Sequence, residues 1–197
     1  MKKTRSIRTY SLLLMCFTLI FLNSCKKKDN SSSSQTSTPN TTPTAVTIGQ
    51  TYEGGIVFYV DGTGQHGLIA APNDQGTVNW GCEGTFVSGT STAVGTGMAN
   101  TNAIVSKCSV SGIAARICSD LVLNGKSDWY LPSKDELNLI HQNLYLQNTG
   151  NLQMNRYWSS SEYNGQFAWC QFFNLNLNQL YYDKDLIAYP IRAIRSF

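Results

Sequence analysis

Residues 128–137 read DWYLPSKDEL, and this stretch decides how the fold is interpreted. Ser133 is followed three residues later by Glu136, the spacing of a capping box, in which each side chain accepts a hydrogen bond from the other residue's free backbone N–H. Apolar residues then recur at helical spacing, at Leu137, Ile140 and Leu144. The stretch therefore predicts a helix that begins at Ser133, with Trp129 and Pro132 as framework residues ahead of it rather than parts of a catalytic site.

The N-terminus has the composition of an export signal. A basic segment is followed by an apolar run over residues 12–22; its charged residues are Lys2, Lys3, Arg5 and Arg8. A transmembrane helix needs about 20 apolar residues, so this run is too short to span a bilayer but suits the apolar core of a secretory signal. We therefore predict a signal peptide over residues 1–24.

The end of this leader, Leu22-Asn23-Ser24-Cys25, resembles a bacterial lipobox. The resemblance implies cleavage before Cys25 and lipidation of that residue, and several acyl chains anchor a protein to a membrane durably where one does not. Lys26 follows instead of the aspartate associated with inner-membrane retention, which favours an outer-membrane lipoprotein on either its periplasmic or its cell-surface face. The alternative is an ordinary secretory signal with a chance cysteine.

Residues 25–46 are predicted to be a tether that carries the lipid anchor. From Asn30 to Thr44 only Ser, Thr, Asn, Gln and Pro occur. Such a segment cannot bury enough apolar surface to offset its chain entropy, so we expect it to be disordered. The rest of the chain, residues 47–197, has the length of a single domain.

The charge of the domain argues against nucleic acid as a partner. The whole chain has a formal net charge of +3, but much of the positive charge lies in the leader and tether. From residue 47 onward there are 8 basic and 11 acidic residues, which makes the domain −3. Nucleic-acid-binding domains concentrate Lys and Arg beside their aromatic residues, a pattern that is missing from this sequence.

Strand and helix signals place helices in the middle of the domain and strands at both ends. Residues 54–60 (GGIVFYV) predict a first strand, residues 61–64 a hairpin turn and residues 67–71 the returning strand. Residues 100–123 predict a helix that is interrupted near Ser111-Gly112. Further strands are predicted at residues 157–160, 167–173, 180–182 and 191–197. This order indicates an α+β fold with a mainly antiparallel sheet.

Six sequence blocks, in order, resemble one bacterial family. They are GQTYEGGIVFYV, HGLIAAP, GTGMANTNAIV, DWYLPSKDELNLIHQNL, YWSSSEYN and the closing RAIRSF. Together they cover residues 49–197 and resemble the C-terminal domains of collagen-like adhesins, formerly described only as a domain of unknown function, in the C-type-lectin-like superfamily. The resemblance implies a twisted sheet with two flanking helices, paired N- and C-terminal strands, and structural roles for Arg192 and Arg195.

Four cysteines lie in the domain, and in an exported protein they predict disulfides: Cys82, Cys108, Cys118 and Cys170. Three connectivities are possible. A bridge between Cys82 and Cys108 is our first choice, because it would close a loop around the Gly- and Thr-rich segment over residues 76–97. Cys118 is then either a buried thiol or the partner of Cys170.

Metal and cofactor motifs are missing from the sequence. The histidines, His66 and His141, stand in no HxxxH spacing, and no CxxC occurs, so a zinc site is not expected. Calcium-dependent sugar binding is not expected either, because the EPN, QPD and WND triplets of calcium-binding lectins are absent. Ser159, Ser160 and Ser161 lack the surroundings of a nucleophile and are interpreted as short polar groups along a strand edge. We expect no metal and no cofactor.

Amide and aromatic side chains crowd into one short region, which is our candidate ligand-binding site. Its residues are Glu162, Asn164, Gln166, Trp169, Gln171, Asn174 and Asn176, with Asn178 beside them. Amides both donate and accept hydrogen bonds, and aromatic rings stack on the apolar faces of sugars, so this composition suits a hydroxyl-rich ligand. The alternative is that polar strand residues simply face water.

The sequence as a whole favours a tethered binding module over an enzyme. The predicted role is recognition of an extracellular glycan or protein, in adhesion or envelope function, without catalysis. One alternative is redox chemistry like that of formylglycine-generating enzymes, which share the superfamily scaffold, with Cys118 and Cys170 as the reactive pair. Another is a purely structural envelope protein.

Overall fold

The computed structural model describes residues 45–174, 176 and 178–197. The predicted signal peptide, the lipidation site Cys25 and the tether as far as residue 44 lie outside the described residues. Val46, the last residue of the predicted tether, is half-buried and packs against the core. Helices that are long and apolar enough to cross a membrane do not occur within the described part of the chain.

The helices of the domain lie between two groups of strands, as the sequence predicts. In chain order the strands are β1 (Thr51–Tyr52), β2 (Gly55–Val60), β3 (Gly67–Ala70), β4 (Gly76–Val78), β5 (Arg156–Glu162), β6 (Phe167–Phe172), β7 (Asn178–Asp183), β8 (Tyr189–Ile191) and β9 (Ile194–Ser196). The helices are α1 (Gly97–Lys107), α2 (Ala114–Ser119) and α3 (Lys134–Ile140), and a π-helical turn, His141–Tyr145, continues α3. The strand pairs are antiparallel, which confirms the α+β class.

Strands from both ends of the domain share one sheet, with the order β1-β2-β3-β9. The expected pairing of the N- and C-terminal strands needs correction. β9 pairs with β3, the second strand of the hairpin, rather than with β1. β2, the first strand predicted from the sequence, already pairs with β1 on one edge and with β3 on the other, so the C-terminal strand cannot pair with it and joins the sheet at β3.

The described residues contain three helices where two were expected, because the central helix is divided. α1 ends at Lys107 and α2 begins at Ala114, so the predicted interruption near Ser111-Gly112 is confirmed. Gly112 has a φ of 72°, a conformation that glycine adopts without the steric cost of a Cβ. The Arg116 side chain donates to the carbonyl oxygens of the connection, at 2.7 Å from Cys108 and 3.2 Å from Val110, and so fixes the corner between the helices.

The capping box at the start of α3 is confirmed. Ser133 Oγ accepts from the Glu136 N–H at 3.2 Å, and Glu136 Oε2 accepts from the Ser133 N–H at 2.7 Å. The apolar face of this helix packs on strands of the first sheet and on Tyr157 and Phe173; its core residues are Leu137, Ile140 and Leu144. A second apolar cluster, which contains Trp129, fills the other side of the fold.

The framework residues of the C-terminus join distant segments. Arg192 is fully buried and donates to Asp74 Oδ1 at 2.8 Å and to the carbonyl oxygens of Ala71 and Gly150. Arg195 donates to both carboxylate oxygens of Asp128, at 2.8 and 2.9 Å. The Pro132 carbonyl accepts from Ser160 N–H at 2.7 Å.

The disulfide between Cys82 and Cys108 is confirmed, with the two Cα atoms 6.0 Å apart. Cys118 and Cys170 were also disulfide candidates; both are free, buried thiols, so of the two alternatives for Cys118 the buried thiol is found and the bridge to Cys170 is not. Cys118 points into the interior from α2 and Cys170 from the inward face of β6.

The three serines of β5 are also placed differently from the expectation. Ser159, Ser160 and Ser161 are buried rather than aligned along an exposed edge. The register of β5 shifts between Trp158 and Glu162, so the regular alternation of side chains is interrupted there and all three serines are buried. Their polar groups are satisfied there: Ser159 Oγ donates to the carbonyl of Trp169, and Ser161 Oγ donates to that of Ser91.

Candidate functional site

The outer face of the sheet β5-β6-β7 carries a cluster of aromatic side chains, which we call the aromatic patch: Tyr163, Phe167, Trp169 and Tyr181. Side chains alternate between the two faces of a strand. Ala168 and Cys170 of β6 point into the core, so Phe167 and Trp169 point outward. The pairing of Trp169 with Tyr181 across β6 and β7 then brings their rings to the same face.

The rings of the aromatic patch hold one another in place. Tyr163 and Tyr181 stack with centroids 4.0 Å apart and planes 1° from parallel. Trp169 stands edge-on to both, at 5.5 Å and 86°. The Lys134 ammonium, at the first position of α3, lies 5.0 Å from the Trp169 ring centroid. Contacts of this kind add stabilisation beyond simple burial, so the patch is an ordered surface before any ligand arrives.

The two tyrosines of the aromatic patch remain open to solvent despite this packing, whereas Phe167 and Trp169 are half-buried. Tyr163 and Tyr181 keep 47% and 45% of their surface exposed. Contiguous exposed aromatic surface rimmed by polar groups marks interaction sites in soluble proteins. A tyrosine ring offers an apolar face for stacking and a hydroxyl for hydrogen bonding. The arrangement therefore suits a ligand with both apolar faces and hydroxyl groups.

Two of the predicted ligand-binding residues, Gln166 and Trp169, lie at or beside the patch. Gln166 is exposed, and its Nε2 donates to Asp183 Oδ2 at 3.1 Å. This places an amide and a carboxylate at the edge of the rings, where a hydroxyl could exchange for their mutual bond. Asn164 has another role, because its Oδ1 accepts from the backbone of Gln166 and Phe167 and so shapes the turn.

Two other predicted residues, Glu162 and Gln171, do not face a ligand, which corrects the prediction. The Glu162 side chain is 1% exposed and forms an ion pair with Lys184. Gln171 is 1% exposed and donates to Asn138 Oδ1 at 3.1 Å. Both side chains have partners inside the protein, because a buried polar group without one would cost free energy.

Asn174 and Asn176 lie at the other end of β6. Asn174 Oδ1 accepts from Asn176 N–H at 2.9 Å, and the Asn174 carbonyl lies 2.7 Å from His141 Nε2. Six strand residues at about 3.3 Å each separate this turn from the one at Gln166 by roughly 20 Å. The predicted cluster of seven residues is therefore not one site, and Asn178, at the start of β7, belongs with this distal turn.

The sequence reasoning missed Tyr163, Phe167, Tyr181 and Lys134. Phe167 and Trp169 are two residues apart in a strand, and this spacing could have predicted that both rings lie on one face of the sheet. The pairing with Tyr181 depends on the register of β7, which no local pattern specifies.

A buried ion pair beneath the patch joins three chain segments. Lys184 Nζ lies 2.6 Å from Glu162 Oε1 and 2.9 Å from the carbonyl oxygens of both Thr85 and Gly165. The Trp80 ring centroid is 4.7 Å away. Glu162 also accepts from the Val87 N–H. Neither charge is exposed, so this contact fixes the segment around Thr85 to the turn at Gly165.

The two free thiols are poor nucleophiles in this structure. Burial raises the pKa of the Cys118 thiol well above its usual range, and burial raises the pKa of Cys170 to about 12. A reactive cysteine requires a depressed pKa and access to solvent. Clusters of three or more His, Cys, Asp or Glu side chains placed to hold a metal ion do not occur in the described part of the chain.

Comparison with models of known protein families finds no match, and comparison with curated protein sequences finds none either.

Proposed function

We propose that the protein is an outer-membrane lipoprotein whose domain has a C-type-lectin-like fold and recognises an extracellular glycan, without catalysing a reaction, in adhesion or envelope function. The aromatic patch is the recognition surface. In this proposal Cys25 carries the lipid anchor, and the tether holds the domain away from the membrane. A protein ligand is the other outcome that the same surface permits.

The arrangement of elements supports the proposed fold. The N-terminal hairpin and the C-terminal strand share a sheet, helices flank it, and a disulfide braces the long segment between the first sheet and α1. A stiff domain of this kind keeps exposed side chains in fixed positions, which lowers the entropy cost of binding.

The open, ordered aromatic patch is the single observation that carries the proposed function. Trp169 and Tyr181 present ring surface at the start of β6 and the end of β7, with Gln166 and Asp183 at the edge. Ring faces suit the apolar faces of sugars, and the amide and carboxylate suit sugar hydroxyls. Both free thiols are buried with raised pKa values, which supports recognition over thiol-dependent redox chemistry.

Glycan-array binding by the full-length chain tests the proposal. We expect saturable binding, and substitution of Trp169→Ala or Tyr181→Ala should weaken it about tenfold, the equivalent of about 1.4 kcal/mol. Leu180→Ala is the matched control, because Leu180 is comparably exposed but points to the opposite face of β7.

Equal losses in the Leu180 and Tyr181 variants would contradict the assignment of the patch. Binding to a protein array but to no glycan would replace the proposed ligand class while keeping the surface. Absence of binding on both arrays would overturn the recognition function itself.

A further inference from the structure

We infer that the Lys184 ammonium is an internal cation: it takes the place that a soluble divalent ion would take, and it positions the segments that carry the aromatic patch. The inference rests on the proposed function only for the role of the patch. The cation site itself is defined by the contacts of Lys184 Nζ beneath the patch.

Lys184 Nζ is surrounded by oxygen atoms. Three oxygens from two segments converge on one point: Glu162 Oε1 at 2.6 Å and the Gly165 carbonyl oxygen at 2.9 Å, both from the connection between β5 and β6, and the Thr85 carbonyl oxygen at 2.9 Å. Carboxylate and backbone carbonyl oxygens are the ligands that calcium ions take in proteins. The converging carbonyl dipoles and the buried carboxylate would repel one another without positive charge between them.

The ion pair between Lys184 and Glu162 is buried. The Lys184 side chain is 0% exposed and that of Glu162 is 1% exposed, so neither charge is compensated by water. A buried charge without its partner is strongly destabilising, so the protein must supply a cation at this point. The cation is the Lys184 ammonium, which is covalently part of the chain, so neither dilution nor a chelator can remove it.

The segments that meet at Lys184 lead directly into the aromatic patch. Tyr163 follows Glu162 directly, and Tyr181 lies on the strand that ends just before Lys184. Further contacts tie the same segments together: the Gly84 N–H donates to the Gly165 carbonyl, and the Lys184 N–H donates to the Gln166 carbonyl. Lys184 is therefore a positioning residue for the stacked tyrosines, which it does not itself touch.

Replacing the internal cation tests the inference. The variant Lys184→Ala should leave the oxygen cage with space for an ion, and should bind Ca²⁺ at about millimolar concentration, the range of weak extracellular sites. Terbium(III) is the probe, because the Trp80 ring, 4.7 Å from the present Nζ position, can transfer excitation energy to a bound terbium ion. We expect terbium luminescence on tryptophan excitation in the full-length variant, and competition by Ca²⁺.

Two matched controls distinguish a specific cation site from a general destabilisation of the fold. Lys184→Met removes the charge but fills the space, so it should give no luminescence. Lys184→Ala combined with Glu162→Gln removes the carboxylate ligand and should lose the luminescence of the single variant. The unsubstituted chain should show no luminescence at this site and the same thermal stability with and without chelator.

If Lys184→Ala is unfolded alone but refolds when Ca²⁺ is added, the inference holds. If neither terbium nor Ca²⁺ binds to it or restores its fold, or if Lys184→Met gives the same signal, the inference is wrong. These readouts need no glycan, so failure of the proposed recognition function would leave them unchanged.

Discussion

Arg195 shows how one side chain joins remote parts of the molecule. Its guanidinium lies 2.7 Å from Glu53 Oε2 and pairs with both oxygens of Asp128, the first residue of the DWYLPSKDEL stretch. Hydrogen bonds from Arg195 lower the pKa of Asp128 below its ordinary value of 3.8 and that of Glu53 below 4.5. A bidentate arginine–carboxylate pair fixes geometry as well as charge.

This arginine makes stability dependent on pH in a definite direction. Because the folded pKa values are depressed, the folded state binds fewer protons, and the stabilisation present at neutral pH is lost as pH falls through the folded values. Arg195→Gln should lower the free energy of unfolding by about 1 kcal/mol at neutral pH, a modest figure because the carboxylates are partly exposed and screened. Urea titrations at a series of pH values measure the difference.

The two proteins should converge in stability at acid pH. Once Asp128 and Glu53 are protonated in both, the ion pairs no longer distinguish them. A stability difference that stayed constant down to the lowest pH would show that Arg195 acts by packing alone.

At the scale of elements, α3 depends on its first residues. Ser133 accepts from the Glu136 N–H, and Ser133 Oγ also donates to the Ala93 carbonyl at 2.9 Å. The Glu136 carboxylate accepts from the Gly95 N–H at 2.8 Å. The capping box therefore both starts a helix and holds the segment that leads into α1.

Loss of the cap should be measurable as a loss of stability. Ser133→Ala should lower the free energy of unfolding by about 1 kcal/mol or more, because an orphan helix N–H and the Ala93 carbonyl both lose a partner. Ser88→Ala is the control, since Ser88 is exposed and lies outside every helix. Equal denaturant midpoints for the two variants would contradict the structural role of the cap.

Local features were predictable from the sequence, whereas features made by distant segments were not. The capping box and the break between α1 and α2 depend on residues a few positions apart, and both are confirmed. The disulfide was also predictable, because the four cysteines of the domain allow only three connectivities. Glu162 was misassigned because a carboxylate that pairs with a buried Lys184 looks, in sequence, like one that faces water.

The sequence predicted the region of the candidate site but not the set of residues that form it. Trp169 was identified, but its partner Tyr181 was not, because cross-strand register is set by the whole sheet and a slip of one residue would reverse every side chain. For the same reason the sequence did not reveal that β9 would pair with β3.

At the scale of the whole molecule, the disulfide restrains the longest irregular part of the fold. Cys82 and Cys108 are 26 residues apart, and the segment between them includes the N–H groups that contact Glu162 and Glu136. A cross-link of this length limits the freedom of the unfolded chain.

Removing this bridge should weaken the domain without changing its fold. The double variant Cys82→Ser and Cys108→Ser should unfold with a free energy about 3 kcal/mol lower than the oxidised protein. Calorimetry or urea titration measures the loss, and reductant should produce a similar loss in the unsubstituted chain but none in the double variant. Continued sensitivity of the double variant to reductant would contradict the assigned pairing.

β9 follows all the other strands in the chain, so during synthesis it is the last strand to join the first sheet. Ile194 is fully buried, and its strand is the seam between the N-terminal hairpin and Tyr130 from the middle of the chain. A nascent polypeptide that stops short of this strand lacks the seam and also lacks the arginines that neutralise Asp74 and Asp128. A nascent chain therefore cannot complete the first sheet until β9 has been made.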